Sequence, residues 1–187
     1  MLVATSDKVY ALEEIAEGSE PVLLLQCESV SRVAQGESLS LVVQGDGSCS
    51  IHTSGSVQKI SLGIDQEIEC VQILEENPLR FLVGTVGPHI YEVTSSSTEP
   101  NAAFDLLEER SSWYTPWGGP PSVRSFAATD DGWVYADIHV GSIMRSPDRG
   151  HSWEPVVPDL HDDVHQVATT PRSKDRLYTN TAHAVYI

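Results

Sequence analysis

Strand-like apolar runs that recur every roughly 40 to 50 residues, turn residues at matching places within each run, and one Ser-x-Asp-x-Gly-x-x-Trp hairpin together predict an all-β fold. The arrangement that suits such a repeat is a β-propeller of four-stranded antiparallel blades, with four to five blade units present in a partial ring. A β-sandwich also accepts strand–turn–strand units, but nothing in it demands a fixed period.

The units follow one another along the chain. The first is Leu2–Thr5 and Lys8–Leu12 joined at Ser6-Asp7, then the more apolar Val22–Cys27. The second starts at Ser29–Ala34, continues through Ser38–Val43, turns at Gly45-Asp46-Gly47 and leaves by Cys49–His52. The third is Ile68–Ile73, Leu79–Gly84, a Gly87-Pro88 turn and Ile90–Val93. The fourth is Val123–Ala128, an Asp130-Asp131-Gly132 hairpin, Trp133–Ala136, a Val140-Gly141 turn and Ile143–Arg145. The last is Val164–Ala168, Arg176–Thr179 and Ala184–Ile187. Leu41, Leu82, Tyr135 and Tyr178 mark equivalent places in four of them and set the period. Between the third and fourth units, Ser95–Pro100 reads as a polar insertion and Ala103–Glu108 as an outer strand, although the latter spacing also suits one helical turn.

A chain of 187 residues has room for one sizeable core, so one domain over 1–187 is expected. It reads as incomplete at its C-terminus, where the next hairpin would begin, the alternatives being pairing with another copy and closure as a small ring. Open strand edges in such a ring invite self-association. The formal charge of −16 argues against nucleic acid or an anionic membrane as partner and leaves cations as ligands. No apolar run is long enough to span a bilayer, and the N-terminus enters a strand pattern without a basic, then apolar, leader. Cys27, Cys49 and Cys70 are odd in number and lack CxxC spacing, which suits reduced core thiols and a cytoplasmic location.

The hairpin itself is Ser146-Pro147-Asp148-Arg149-Gly150-His151-Ser152-Trp153. Asp bonds its own turn amides, Gly accepts a positive φ, Ser adds a side-chain bond and Trp closes over the turn as an apolar lid. The stretch resembles the Asp-box, or BNR repeat, of sialidase-like β-propellers of the wider WD/YVTN/BNR type. That resemblance implies a structural role for Ser146, Asp148, Gly150 and Trp153, and ligand sites on the opposite face. Residues 111–167 are similar to a group of bacterial Asp-box proteins often labelled exo-sialidase or glycosyl hydrolase on their fold alone.

Propeller connectivity then sorts the chain. Connections from an outer strand to the next inner strand share a face with those joining the second and third strands. That face collects Trp113, Tyr114 and Trp117 from a Pro/Gly-stiffened stretch, His139 with Asp137 before it, and His161-Asp162-Asp163-Val164-His165. His89 and His183 occupy matching turns. The aromatics form a stacking platform for sugar rings or, alternatively, wedges between blades. His139, His161 and His165 with a neighbouring Asp form a candidate divalent-metal site or, alternatively, a hydrogen-bonded channel mouth; no other cofactor is expected. Asp137, Asp162 and Asp163 are the carboxylates available for glycoside hydrolysis. The sialidase resemblance would require an arginine triad and a tyrosine nucleophile; Arg124 and Tyr114 are placed for this, but no second and third arginines are. Arg145 and Arg149 adjoin the hairpin and read as surface ion pairs on the other face. The residues therefore predict a binding or scaffold module for a glycan, a small polar ligand or a protein. The alternatives are a sialidase-like exo-glycosidase using Asp137 or Asp162/Asp163, and an assembly module with protein partners only.

Overall fold

The computed structural model describes residues 1–12, 14–16, 18–156, 161–170 and 173–187. Its strands form meandering antiparallel sheets in chain order. The first blade is β1 (Leu2–Ala4), β2 (Lys8–Ala11) and β3 (Val22–Gln26); the second is β4 (Val30–Gln35), β5 (Leu39–Gln44), β6 (Ser48–Thr53) and β7 (Val57–Ser61). The third is β8 (Ile68–Glu76), β9 (Leu79–Thr85), β10 (Ile90–Thr94) and β11 (Thr98–Pro100). The fourth is β12 (Val123–Ala128), β13 (Val134–Ile138), β14 (Ser142–Ser146) and β15 (Glu154–Val156), and the last is β16 (Val164–Thr170), β17 (Ser173–Thr181) and β18 (Val185–Tyr186). The inner strands β1, β4, β8, β12 and β16 pack against one another in that order, as in a β-propeller. Among the described residues no packing of similar extent joins the last blade to the first.

Each middle blade lies between two others, so its strands are apolar on both faces. In β9, Phe81 and Val83 face the second blade beside Leu41, Val43 and Ile51, while Leu82 faces the fourth beside Val134, Ala136 and Trp153. Successive strand residues point to opposite faces, which turns a run such as Phe81-Leu82-Val83 into two half-cores. Leu41, Leu82, Tyr135 and Tyr178 do all lie on the second strand of their blade.

One detail repeats in four blades. The inner strands pair through Val30, Ile68, Val123 and Val164, skip the next residue, and resume pairing at Arg32, Cys70, Ser125 and Gln166. The skipped residues are Ser31, Glu69, Arg124 and His165, each in a β-bulge at the same end of its strand. A bulge leaves its extra residue outside the hydrogen-bond ladder and re-aims its side chain.

The Ser146–Trp153 hairpin has the geometry expected of it. The buried Ser146 hydroxyl accepts from Gly150 N at 2.7 Å and donates to Asp148 Oδ1 at 2.8 Å. Asp148 accepts from Ser152 N at 2.8 Å and from Ser152 Oγ at 2.7 Å. Desolvation opposes ionisation, but the Ser152 and Ser146 hydrogen bonds prevail and hold the Asp148 carboxyl at about 2. Gly150 sits at φ 91°, and Trp153 donates its indole N–H to Gly150 O at 3.1 Å. The hairpin also locks the third blade: Arg149 O accepts from Arg80 Nη2 at 2.8 Å and Gly150 O from Asn101 Nδ2 at 2.7 Å. Ser146→Ala strands the Gly150 N–H in the interior and is expected to cost about 1–3 kcal/mol in a urea titration. A variant as stable as the parent would show that the hydroxyl is not what holds the turn. Arg145 and Arg149 make the expected ion pairs, with Glu154 at 2.7 Å and Glu75 at 3.3 Å.

The insertion between the third and fourth blades corrects the sequence reading. Thr98–Pro100, within the stretch read as a polar loop, is the outer strand β11, where Pro100 is tolerated on an edge. The stretch Ala103–Glu108, read as an outer strand with one helical turn as the alternative, begins in that helical turn, α1 (Ala102–Asp105). Asn101 caps it by accepting from Phe104 N at 3.0 Å, and the turn drives Phe104 fully into the core. A 3-10 helix, Glu108–Ser112, follows.

Candidate functional site

The two kinds of connection do meet on one face. Val86 bridges Ser122, and His139 bridges Asp163, so the β9–β10 and β13–β14 turns are each tied to the start of the next blade. Ser142 N donates to Asp162 O at 3.2 Å and Ala182 N to Asp163 O at 3.1 Å, which extends the same stitching to the β17–β18 turn.

Asp163 is the hub. His139 Nε2 lies 3.5 Å and His165 Nε2 3.3 Å from its Oδ1, at ion-pair range but without hydrogen-bond geometry. Trp117 leans over His139 with ring centroids 5.3 Å apart and remains 63% exposed. Burial, reinforced by Arg124, lowers the His139 pKa from its ordinary value, against the pull of Asp163, so this imidazole is neutral at pH 7. The bulged residues converge here as well, since Arg124, His165 and Glu69 all act on His139. Glu69 is itself held by Arg32 at 2.8 Å.

Asp137 lies beneath this surface, with no exposure at all. Its Oδ2 accepts from Ser125 Oγ at 2.9 Å, and the Ser125 hydroxyl in turn accepts from Val167 N at 2.9 Å, so the acid is anchored through Ser125 across the seam between two blades. Burial pushes its carboxyl up to about 7; the Ser125 hydroxyl and Arg124 work against this, and Asp163 adds to it. Arg124 Nη1, Asp137 Oδ1 and Asp163 Oδ1 are all buried without a hydrogen-bond partner among the described residues. Partnerless charged atoms therefore lie beneath the mouth rather than on it.

Several sequence expectations are redistributed by this geometry. Trp113 is a core residue, 9% exposed, with its ring 5.7 Å from Phe104; it is a wedge rather than part of a platform. Gly141 makes that seat possible, because a Cβ there would come within 2.8 Å of Trp113 Cδ1. Tyr114 and Trp117 are left as the exposed aromatics of the loop. The three candidate metal ligands meet Asp163 differently: His161 tilts against His183 with centroids 4.0 Å apart and accepts from Asp163 N at 3.1 Å, while His139 and His165 share the Asp163 carboxylate. Among the described residues no three His, Cys, Asp or Glu side chains are grouped to hold a metal ion. His89 pairs with Asp105 at 2.8 Å. Asp162 is exposed, Asp163 nearly buried and Asp137 sealed, so the three carboxylates proposed for hydrolysis stand in three different environments. Sequence reasoning missed Ser31, Glu69 and Ser125. Superposing Val-Ser-Arg-Val-Ala, Ile-Glu-Cys-Val-Gln, Val-Arg-Ser-Phe-Ala and Val-His-Gln-Val-Ala would have found the bulged column.

Sequential meanders of three or four strands whose inner strands pack in chain order, with loops gathered at one mouth, define the molecule as a β-propeller. Solved structures of low sequence identity share the fold. YCF48 from Cyanidioschyzon merolae superposes with a TM-score of 0.62 at 14% identity, over 95% of this chain and 59% of that one. YCF48 bound to D1 peptide gives 0.60 at 16% identity, over 96% and 55%. The extracellular domain of BT4673 from B. thetaiotaomicron gives 0.65 at 9% identity, over 98% and 25%. The chain therefore spans little more than half of the YCF48 structures and a quarter of the BT4673 domain. No protein-family model matches the chain, and no curated protein matches it.

Proposed function

We propose that this propeller is a non-catalytic binding module that receives a segment of a partner protein at the mouth around Asp163. The observation that carries the reading is Trp117, exposed at 63% and tilted over His139 at 5.3 Å, whose imidazole in turn lies 3.5 Å from Asp163. An exposed aromatic beside an imidazole–carboxylate pair offers contact area and orientation together. A YCF48 structure of the same fold carries a bound D1 peptide, which supports peptide capture as a use of this architecture. The sealed position of Asp137 favours binding over glycoside hydrolysis, because a general acid must reach its substrate.

The test is a peptide-array screen, followed by calorimetry on the hits, with a glycan and aryl-glycoside panel in parallel. Saturable peptide binding that Trp117→Ala weakens by at least about 2 kcal/mol, the loss typical of a central aromatic, supports the reading. Sugar release that disappears in Asp162→Asn/Asp163→Asn would replace it with the hydrolase.

A further inference from the structure

Beside the mouth lies a second feature that the binding reading does not use. A cavity of about 190 Å³ opens between the β13–β14 turn and the start of the last blade, lined among others by Glu109, Trp113, Val140, Met144, Val156 and Asp162. Ligand pockets for small molecules run to about 300–1,000 Å³, so this one has the size of a single side chain. Its floor is apolar and firm, since Trp113 and Met144 are buried core residues. Its rim carries two carboxylates. Glu109 and Asp162 accept hydrogen bonds only through their main-chain oxygens, from Ser112 Oγ and from Ser142 N and Val164 N, and neither carboxylate has a partner among the described residues. Arg110, over the Trp113 ring at 5.5 Å, pairs with Asp105 at 3.5 Å and so keeps its charge engaged elsewhere.

The backbone keeps the two sites separate. His139 and Asp163 face the mouth, whereas Gly141, Ser142 and Asp162, one to three residues away, line the cavity. An apolar floor with an unpaired acidic rim matches one kind of group: a cation on an aliphatic stem. An aromatic wall adds attraction for that cation. The charge of −16 draws basic segments toward the whole surface.

We propose that this cavity takes a lysine or arginine side chain of the partner segment, with its stem on Trp113, Met144 and Val156 and its head between Glu109 and Asp162. The proposal rests on the reading of this face as protein-binding, and it specifies the partner as a basic one.

The chain has two methionines, Met1 and Met144, so methyl-labelled methionine gives a local reporter on the cavity floor. Titration with Nα-acetyl-lysine methylamide, and separately with the arginine analogue, should shift the Met144 methyl signal saturably. The norleucine analogue, equal in stem but uncharged, should not. Glu109→Gln/Asp162→Asn should weaken the lysine response roughly tenfold, as expected for the loss of two partly exposed ion pairs. Neither carboxylate has a partner among the described residues, so the double variant should melt with the parent. Equal shifts from lysine and norleucine, no lysine response, or a response indifferent to the double variant would each overturn the proposal. Peptide binding at the mouth without a lysine response removes the cavity alone. A lysine response in a protein that binds no peptide upholds the cavity and removes the partner-segment reading alone.

Discussion

Phe104→Ala is expected to destabilise the protein by about 3–5 kcal/mol in a urea titration, the range for truncating a fully buried aromatic. Phe104 has no exposed surface and holds three groups at once: Trp113 at 5.7 Å, Trp153 edge-on at 5.5 Å and the Arg110 guanidinium at 5.5 Å. Trp113 belongs to the candidate face and Trp153 to the hairpin of the opposite face, so this ring links the two ends of one blade interface. Leu106, two residues on and 82% exposed, is the control, because its truncation should stay within about 0.5 kcal/mol. Equal losses for the two variants would mean that α1 does not pack as described.

The second large effect is a dependence on pH. The Asp137 carboxyl, raised by burial from 3.8 to about 7, binds its proton more tightly in the folded than in the unfolded chain. Its contribution to stability is therefore complete below about pH 4 and declines as the pH rises through 7. The decline amounts to roughly 2–4 kcal/mol over that window. Asp137→Asn preserves an acceptor for Ser125 but cannot ionise, so the stability difference between variant and parent should grow in the variant's favour from pH 4 to pH 8. A difference that stays constant with pH would show that Asp137 is ionised in the folded state at low pH. Asp148 works the other way: held at about 2, it contributes above pH 4 and its contribution is lost as the pH falls toward 2.

Much of the architecture could be read from the residues because it depends on periodicity. Leu41, Leu82, Tyr135 and Tyr178 recur at one place in the blade, and Ser146 through Trp153 encode a turn whose bonds are local. Even the sorting of loops onto faces followed from strand alternation alone. What could not be read depends on contacts distant in sequence. Trp113 and Trp117 are the same residue type in one loop, yet one is a wedge and the other an exposed arm; the difference is made by Phe104 and Gly141, which meet Trp113 only in the folded chain. The histidines looked alike too, until Asp163 claimed two of them and His183 a third. The insertion was misread because its strand, Thr98–Pro100, is polar and its helical turn supplies the apolar residue.

The bulged column has a corollary at the rim. Ser31, Glu69, Arg124 and His165 occupy equivalent places yet share neither charge nor size. A side chain excused from the pairing ladder is exchanged without the loss of a ladder hydrogen bond. Substitution at these four places changes the charge and size of the rim while leaving the hairpins, seams and cores as they are.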